Sequence, residues 1–107
     1  MLARIQFMKA KQMVREAFRT VTFKRDGHKC RTCGSDGDLD AHHITNRNDM
    51  PNGGYVPENG ISLCPVCHLK AEQCLINVAE IPGFHPSDLY KLIGSSYAEA
   101  VKAALKL

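Results

Sequence analysis

Two rhythms of hydrophobic and polar positions run along this chain, and the change from one to the other marks its elements. Residues 3–22 contain no Gly or Pro and many good helix formers, which predicts a helix. Met13, Ala17, Phe18 and Val21 share one face, while Lys11, Arg15 and Arg19 repeat at i, i+4 and i+8 on another. The first face is expected to pack on the body of the protein. Asp26-Gly27 is a turn signal and places the segment after it in a tight hairpin. Residues 39–44 read as a short strand and 61–63 as its partner. A polar loop over 45–60 joins them, with Pro51-Asn52-Gly53-Gly54 as its sharpest turn. Pro65 suits the first turn of a helix, where its missing N–H costs nothing, and that helix is expected over about 65–77.

The chain changes character after residue 78. Ile81-Pro82-Gly83 is a break, and residues 86–93 predict a short helix ended by Gly94. Ser96 and Glu99 form a capping-box pattern for a last helix. Tyr97, Val101 and Leu105 lie on one face of it, and Lys102 and Lys106 sit near its C-terminus. The tail shows no chemistry of its own and is expected to pack on the core or mediate assembly. The order of elements describes a small α+β protein.

At 107 residues the length suits a single domain with one modest core. Its expected parts are a basic N-terminal helix (1–22), a core (23–77) and a helical tail (78–107). A hydrophobic fraction of 44% without a long apolar run predicts no membrane span. Met1-Leu2-Ala3-Arg4 begins no secretory signal, so an intracellular, reducing location is the expectation. Charge is split unevenly. Residues 1–31 hold nine Lys or Arg against two carboxylates, a net of +7, and the remainder holds five against nine, a net of −4. Such a basic arm is either a solvated helix face or a seat for a polyanion. Phe7 and Met8 lie further out and are available for a homodimer contact.

Candidate chemistry is concentrated between Cys30 and Glu72. Cys30-Arg-Thr-Cys33 and Cys64-Pro-Val-Cys67 are two Cys-x-x-Cys pairs, each able to place two thiolates on one turn. Together they supply four sulfurs for a tetrahedral structural zinc, which in a chain this small can contribute roughly 10–16 kcal/mol of apparent folding free energy. Paired Cys can also serve as disulfides or redox pairs. A reducing location and the lack of a surrounding βαβ pattern count against both. Cys74, the odd thiol, reads as a small core residue. His28 reads as a turn residue and His85 as an exposed loop residue.

Between and beside the pairs stand Ala41-His42-His43-Ile44, Asn59 within Pro57-Glu58-Asn59-Gly60-Ile61-Ser62-Leu63, and His68 directly after Cys67. With the lead-in at 23–30, residues of about 23–76 resemble the HNH, or ββα-metal, nucleases of the four-Cys zinc-binding type. The resemblance implies a ββα-metal core stapled by the zinc and a metal-dependent endonuclease that hydrolyses DNA phosphodiester bonds. His43 matches the position of the general base, and Asn59 the Asn that braces the loop and helps orient that base. His42 and His68 match ligands of a catalytic divalent cation, Mg²⁺ or Mn²⁺ for example. Glu72, four residues beyond His68, stands where some relatives carry a His, so it binds the ion directly, binds it through water, or is solvated. In that context Lys11, Arg15, Arg19, Lys24 and Arg25 become the expected DNA contacts. A bacterial cytoplasmic or phage-encoded protein is expected from the same resemblance.

Imidazole suits the base role, because an ordinary pKa of about 6.5 leaves roughly three quarters of it neutral at pH 7. Strand alternation, however, sends His42 and His43 to opposite faces. To share a site the two must sit at a strand end or twist where alternation relaxes. The competing reading is a non-catalytic zinc-stapled nucleic-acid-binding module, which keeps the Cys pairs and basic arm but has no use for His43, Asn59 or His68.

Overall fold

A computed structural model describes residues 2–107. Helix α1 spans Leu2–Arg25, strand β1 Asp40–His43, strand β2 Gly60–Leu63, and helices α2, α3 and α4 span Pro65–Leu75, Pro86–Leu92 and Tyr97–Ala104. Four helices and one two-stranded antiparallel sheet make the α+β architecture, with β1, loop, β2 and α2 in the expected order. The register pairs Asp40 with Leu63, Ala41 with Ser62, His42 with Ile61 and His43 with Gly60. Among the described residues no helix is long and apolar enough to cross a membrane.

Helix α1 is longer than its sequence pattern suggested and touches the body only near its C-terminal end. Its buried residues are Phe18 and Thr22, whereas Met13 is 68% exposed and Val21 is also exposed. Of the expected packing face Phe18 alone is buried, with Thr22 beside it. The reason lies in β2, where Gly60 has no side chain. A Cβ there would come within 2.6 Å of Phe18 Cε1 and 2.8 Å of Thr22 Oγ1, so α1 seats these two side chains directly on the strand backbone. At about 1.5 Å per residue a 24-residue helix is about 36 Å long, which accounts for a molecule measuring 47 × 28 × 24 Å.

The end of α1 is pinned by Asp26. Its buried carboxylate accepts from Arg25 Nε and Nη2, both at 2.9 Å, and from the Ser62 backbone N–H at 2.9 Å. Gly27 and His28 then turn the chain with φ of +67° and +57°. The first cysteine pair lies on turns and not in a strand hairpin. Cys30 and Ser35 close one turn, and the Arg31 N–H bonds Ser62 O at 2.9 Å, which ties the knuckle to β2.

Helix α2 starts as expected, with Pro65 in its first turn and Cys64 Sγ accepting from the Cys67 N–H at 3.5 Å. It ends at Leu75, two residues early, because Asn77 takes a left-handed conformation and Val78 N–H bonds back to Gln73 O. Cys74 is buried, as its reading required, and its sulfur accepts from the Ile81 N–H at 3.4 Å. In the tail, His85 is exposed and lies before α3 as expected, and its ring accepts from the Ser87 N–H to cap that helix. Ser96 Oγ caps α4 through the Glu99 N–H at 3.1 Å. The residues α4 buries are Ala100 and Ala104; of the face read from the sequence Val101 is partly buried against the core, while Tyr97 and Leu105 are exposed. Small side chains let α4 approach the 51–59 segment, where Asn52 Nδ2 reaches Ala104 O at 2.9 Å. Ile44, Ile61, Leu63 and Leu89 form the middle of the core.

Candidate metal centres and active site

The fold brings the two Cys-x-x-Cys turns together. Their four sulfurs lie within 4.8 Å of one another, and Cys33 Sγ is 3.7 Å from Cys64 Sγ. Sulfurs about 2.3 Å from a shared tetrahedral ion would be separated by about 3.8 Å, so the spacing fits a metal site. Electrostatics agrees with the geometry. For Cys30, burial alone would raise the thiol pKa, but hydrogen bonding by Thr32 and nearby backbone N–H groups brings it to about 6. Burial, together with the neighbouring sulfurs, pushes Cys67 up to about 12. One thiolate is comfortable in this cluster, and further negative charge calls for a cation at its centre.

A second cluster joins the sheet to α2. His42, from β1, is buried, while His68 and Glu72 project one turn apart from α2; their donor atoms also lie within 4.8 Å. Glu72 Oε1 is 3.5 Å from His42 Nδ1 and 3.2 Å from His68 Nε2. Among the described residues neither nitrogen of His42 has a hydrogen-bond partner. Burial, reinforced by the charges of His68 and His43, drops its pKa to about 3, so the ring is neutral with a free lone pair at physiological pH. On the far side of His68, Nδ1 is 3.0 Å from Asp40 Oδ2. In the tautomer whose Nδ1–H donates to Asp40, Nε2 carries a lone pair that faces the Glu72 carboxylate. Two acceptors aimed at one point, beside an orphaned buried imidazole, fit a divalent cation.

His43 occupies the other face of β1. Although it is the last residue of the strand, alternation persists: His42 turns to α2 and His43 to α1. The two imidazoles leave the strand end on different faces, His42 beside His68 and Glu72 and His43 beside Phe18 and Tyr55. The His43 ring stacks on Phe18 at 4.6 Å between centroids and meets Tyr55 in a T-shaped contact at 4.7 Å. Its Nε2 is buried without a partner among the described residues. Burial and the Arg47 charge lower its pKa to about 4, which keeps this imidazole neutral as well.

Asn59 is fully buried and makes four hydrogen bonds. Its Oδ1 accepts from the Thr45 N–H at 2.9 Å and from Tyr90 Oη at 2.7 Å. Its Nδ2 donates to Thr45 O at 3.1 Å and to Gly54 O at 3.2 Å. These contacts tie both ends of the 45–54 loop to the strand pair that carries the histidines. Gly54 must be Gly, because φ is +64° and a Cβ would come within 2.7 Å of Asn59 Nδ2.

Residues 30–73 match the family model described as HNH endonuclease. This segment resembles an HNH domain. No curated protein and no solved structure matches the chain. The matched segment contains both Cys pairs, the His42-His43 step, Asn59, His68 and Glu72, and it leaves α1 and the helical tail outside.

Around the HNH segment several residues matter that sequence reasoning passed over. Asp40 is two residues from His42 and shares its face of the strand, which is the one signal that could have found it. Tyr90, in the tail, bonds Asn59 and also pairs with Thr45 Oγ1 at 2.6 Å, so the tail belongs to the brace of the site. Tyr55 packs on His43, and Arg47 donates to Tyr55 Oη at 3.2 Å. Of the expected DNA contacts, Lys11, Arg15, Arg19 and Lys24 are exposed. Arg25 is the exception: it grips Asp26 and donates to Pro57 O at 2.6 Å and Gly60 O at 2.7 Å, so its guanidinium is committed to holding α1 on β2.

Proposed function

We propose that this chain is a metal-dependent endonuclease that hydrolyses DNA phosphodiester bonds. The observation that carries the reading is the convergence of His42, His68 and Glu72 donor atoms, with a buried neutral imidazole left unpartnered, inside an HNH segment. Cys30, Cys33, Cys64 and Cys67 hold a structural zinc that pins the turn after α1 to the start of α2. His42, His68 and Glu72 are the ligands of a separate divalent cation such as Mg²⁺ or Mn²⁺. When bound, that ion would stabilise negative charge on the phosphate and leaving oxygen.

His43 takes the proton from the attacking water. Its neutral ring has an uncommitted Nε2, and the aromatic packing of Phe18 and Tyr55 fixes its plane. Because that atom is buried, Tyr55 must swing aside when substrate enters. Asp40 orients His68 through Nδ1, and Asn59 positions the loop and strand end without touching substrate. Lys11, Arg15, Arg19 and Lys24 contact the DNA phosphates.

Incubation of supercoiled plasmid with the protein and Mg²⁺, Mn²⁺ or Ni²⁺, beside an EDTA control, tests this reading. Nicked or linear product that requires the cation supports it. Retained binding without cleavage under any of the three ions would instead leave a zinc-stapled binding module.

A further inference from the structure

Helix α1 carries a feature that zinc, base and cation ligands leave unexplained. Lys11, Arg15 and Arg19 form one ridge, and each lies over an aromatic ring: Lys11 Nζ over Phe7 at 4.6 Å, Arg15 over Tyr55 at 5.5 Å and Arg19 over Phe23 at 5.9 Å. Successive cations are about 6 Å apart along the helix axis. Between the first two pairs and the 47–55 loop runs a groove of about 620 Å³. Among the described residues its lining includes Phe7, Lys11, Arg15, Arg47 and Tyr55, and no acidic side chain. Tyr55 is common to this groove and to the packing of His43, so the groove leads to the candidate base.

A cation over a ring can simply drape a long side chain across an apolar surface. Phe7, however, is 60% exposed in the wall of that groove, so much of its ring is open to a ligand. A duplex offers α1 mainly its phosphates, for which the cations alone would suffice. Alternating cations and ring faces match a strand whose bases are unstacked and accessible. We infer that the α1 ridge and its groove bind an unpaired DNA strand leading into the HNH site, phosphates on Lys11, Arg15, Arg19 and Arg47 and bases against Phe7 and Tyr55. This rests on the nuclease reading and names the substrate form it takes, DNA with a single-stranded flank.

The test is fluorescence anisotropy of the full zinc-loaded chain with a labelled single-stranded DNA, its duplex and the RNA of the same sequence, under mild chelation. Single-stranded DNA should bind about tenfold tighter than either of the others. Phe7→Leu keeps the apolar bulk but removes the stacking face, and it should weaken single-strand binding by about 5- to 100-fold. Replacing Lys11, Arg15 and Arg19 together with Ala should reduce the magnitude of the single-strand salt slope by about 2, at about 0.7 per contact. Phe7→Leu is exposed and serves as the variant that stays folded. Equal or tighter binding of duplex or RNA would overturn the inference. So would unchanged single-strand affinity of Phe7→Leu, including the case where that variant alters sedimentation and marks α1 as the seat of a second copy. Cation-dependent plasmid cleavage without single-strand preference would sink this inference alone. Ridge-dependent strand binding with no cleavage would sink the nuclease reading and leave the platform standing.

Discussion

Asn59→Ala separates bracing from chemistry at this site. The side chain is fully buried and makes four hydrogen bonds, to Thr45 N–H, Thr45 O, Gly54 O and Tyr90 Oη. At about 1 kcal/mol net for each, truncation costs about 4 kcal/mol, before any cavity contribution. Against a total stability of about 5–15 kcal/mol that is a large share, equivalent to a fall in Tm of about 15–25 °C. Urea and thermal melts of zinc-loaded protein measure it directly. Tyr90→Phe removes one hydroxyl from the same network and should cost about 1–2 kcal/mol. The double variant should lose less than the sum, because Asn59→Ala has already taken away the acceptor of Tyr90. If Asn59→Ala stayed within about 1 kcal/mol of the parent yet lost cleavage, Asn59 would be acting on substrate and the brace argument would be wrong.

Elemental analysis of protein purified without added metal should find one tightly held zinc per chain, lost only with unfolding; a folded, zinc-free sample would contradict the Cys-cluster assignment. Arg25→Ala should destabilise by about 2–3 kcal/mol by leaving the Asp26 carboxylate short of its main partner, while Arg15→Ala should weaken DNA binding and leave the melt unchanged; a reversal of these two outcomes refutes the division of labour within α1. With the divalent ion stripped and the zinc kept, stability should fall as pH drops from about 6.5 toward 4. His42 and His43 have folded pKa values of about 3 and about 4, below the unfolded value, so acid favours the unfolded chain. For His42 the slope reaches up to about 1.4 kcal/mol per pH unit, and equal stability at pH 7 and pH 5 would mean that neither ring is buried neutral.

How much of this was legible in the sequence depended on whether the signal was local. Cys30-x-x-Cys33 and Cys64-x-x-Cys67 carry their spacing with them, and so do Pro65 at the start of α2 and Ser96 before α4. The order strand, loop, strand, helix followed from the same local signals. Helix faces did not. Hydrophobicity pointed to Met13, Ala17, Phe18 and Val21 in α1 and to Tyr97, Val101 and Leu105 in α4; of these Phe18 is buried and Val101 partly so, while Thr22, Ala100 and Ala104 fill the rest of the contacts. In both cases close approach decided the outcome, through Gly60 under α1 and through the alanines of α4, and hydrophobicity does not encode closeness. Asp40, Tyr90 and Arg25 were missed or misassigned for a related reason. Each is an ordinary residue type whose partner, His68, Asn59 or Gly60 O, lies 28 to 35 positions away. The strand alternation that separates His42 from His43 was foreseeable, and it held.

The account's central claim is that His43 takes the proton while other side chains hold the cation. The most direct measurement is the rate of supercoiled plasmid cleavage by His43→Ala at saturating Mn²⁺, beside the parent protein and His68→Ala, with zinc content and melting curve checked for each. His43→Ala should be slower by about 10²- to 10⁴-fold at every Mn²⁺ concentration, with DNA affinity retained. His68→Ala should instead recover part of its activity as Mn²⁺ is raised. Cleavage by folded His43→Ala at the parent rate would contradict the assignment.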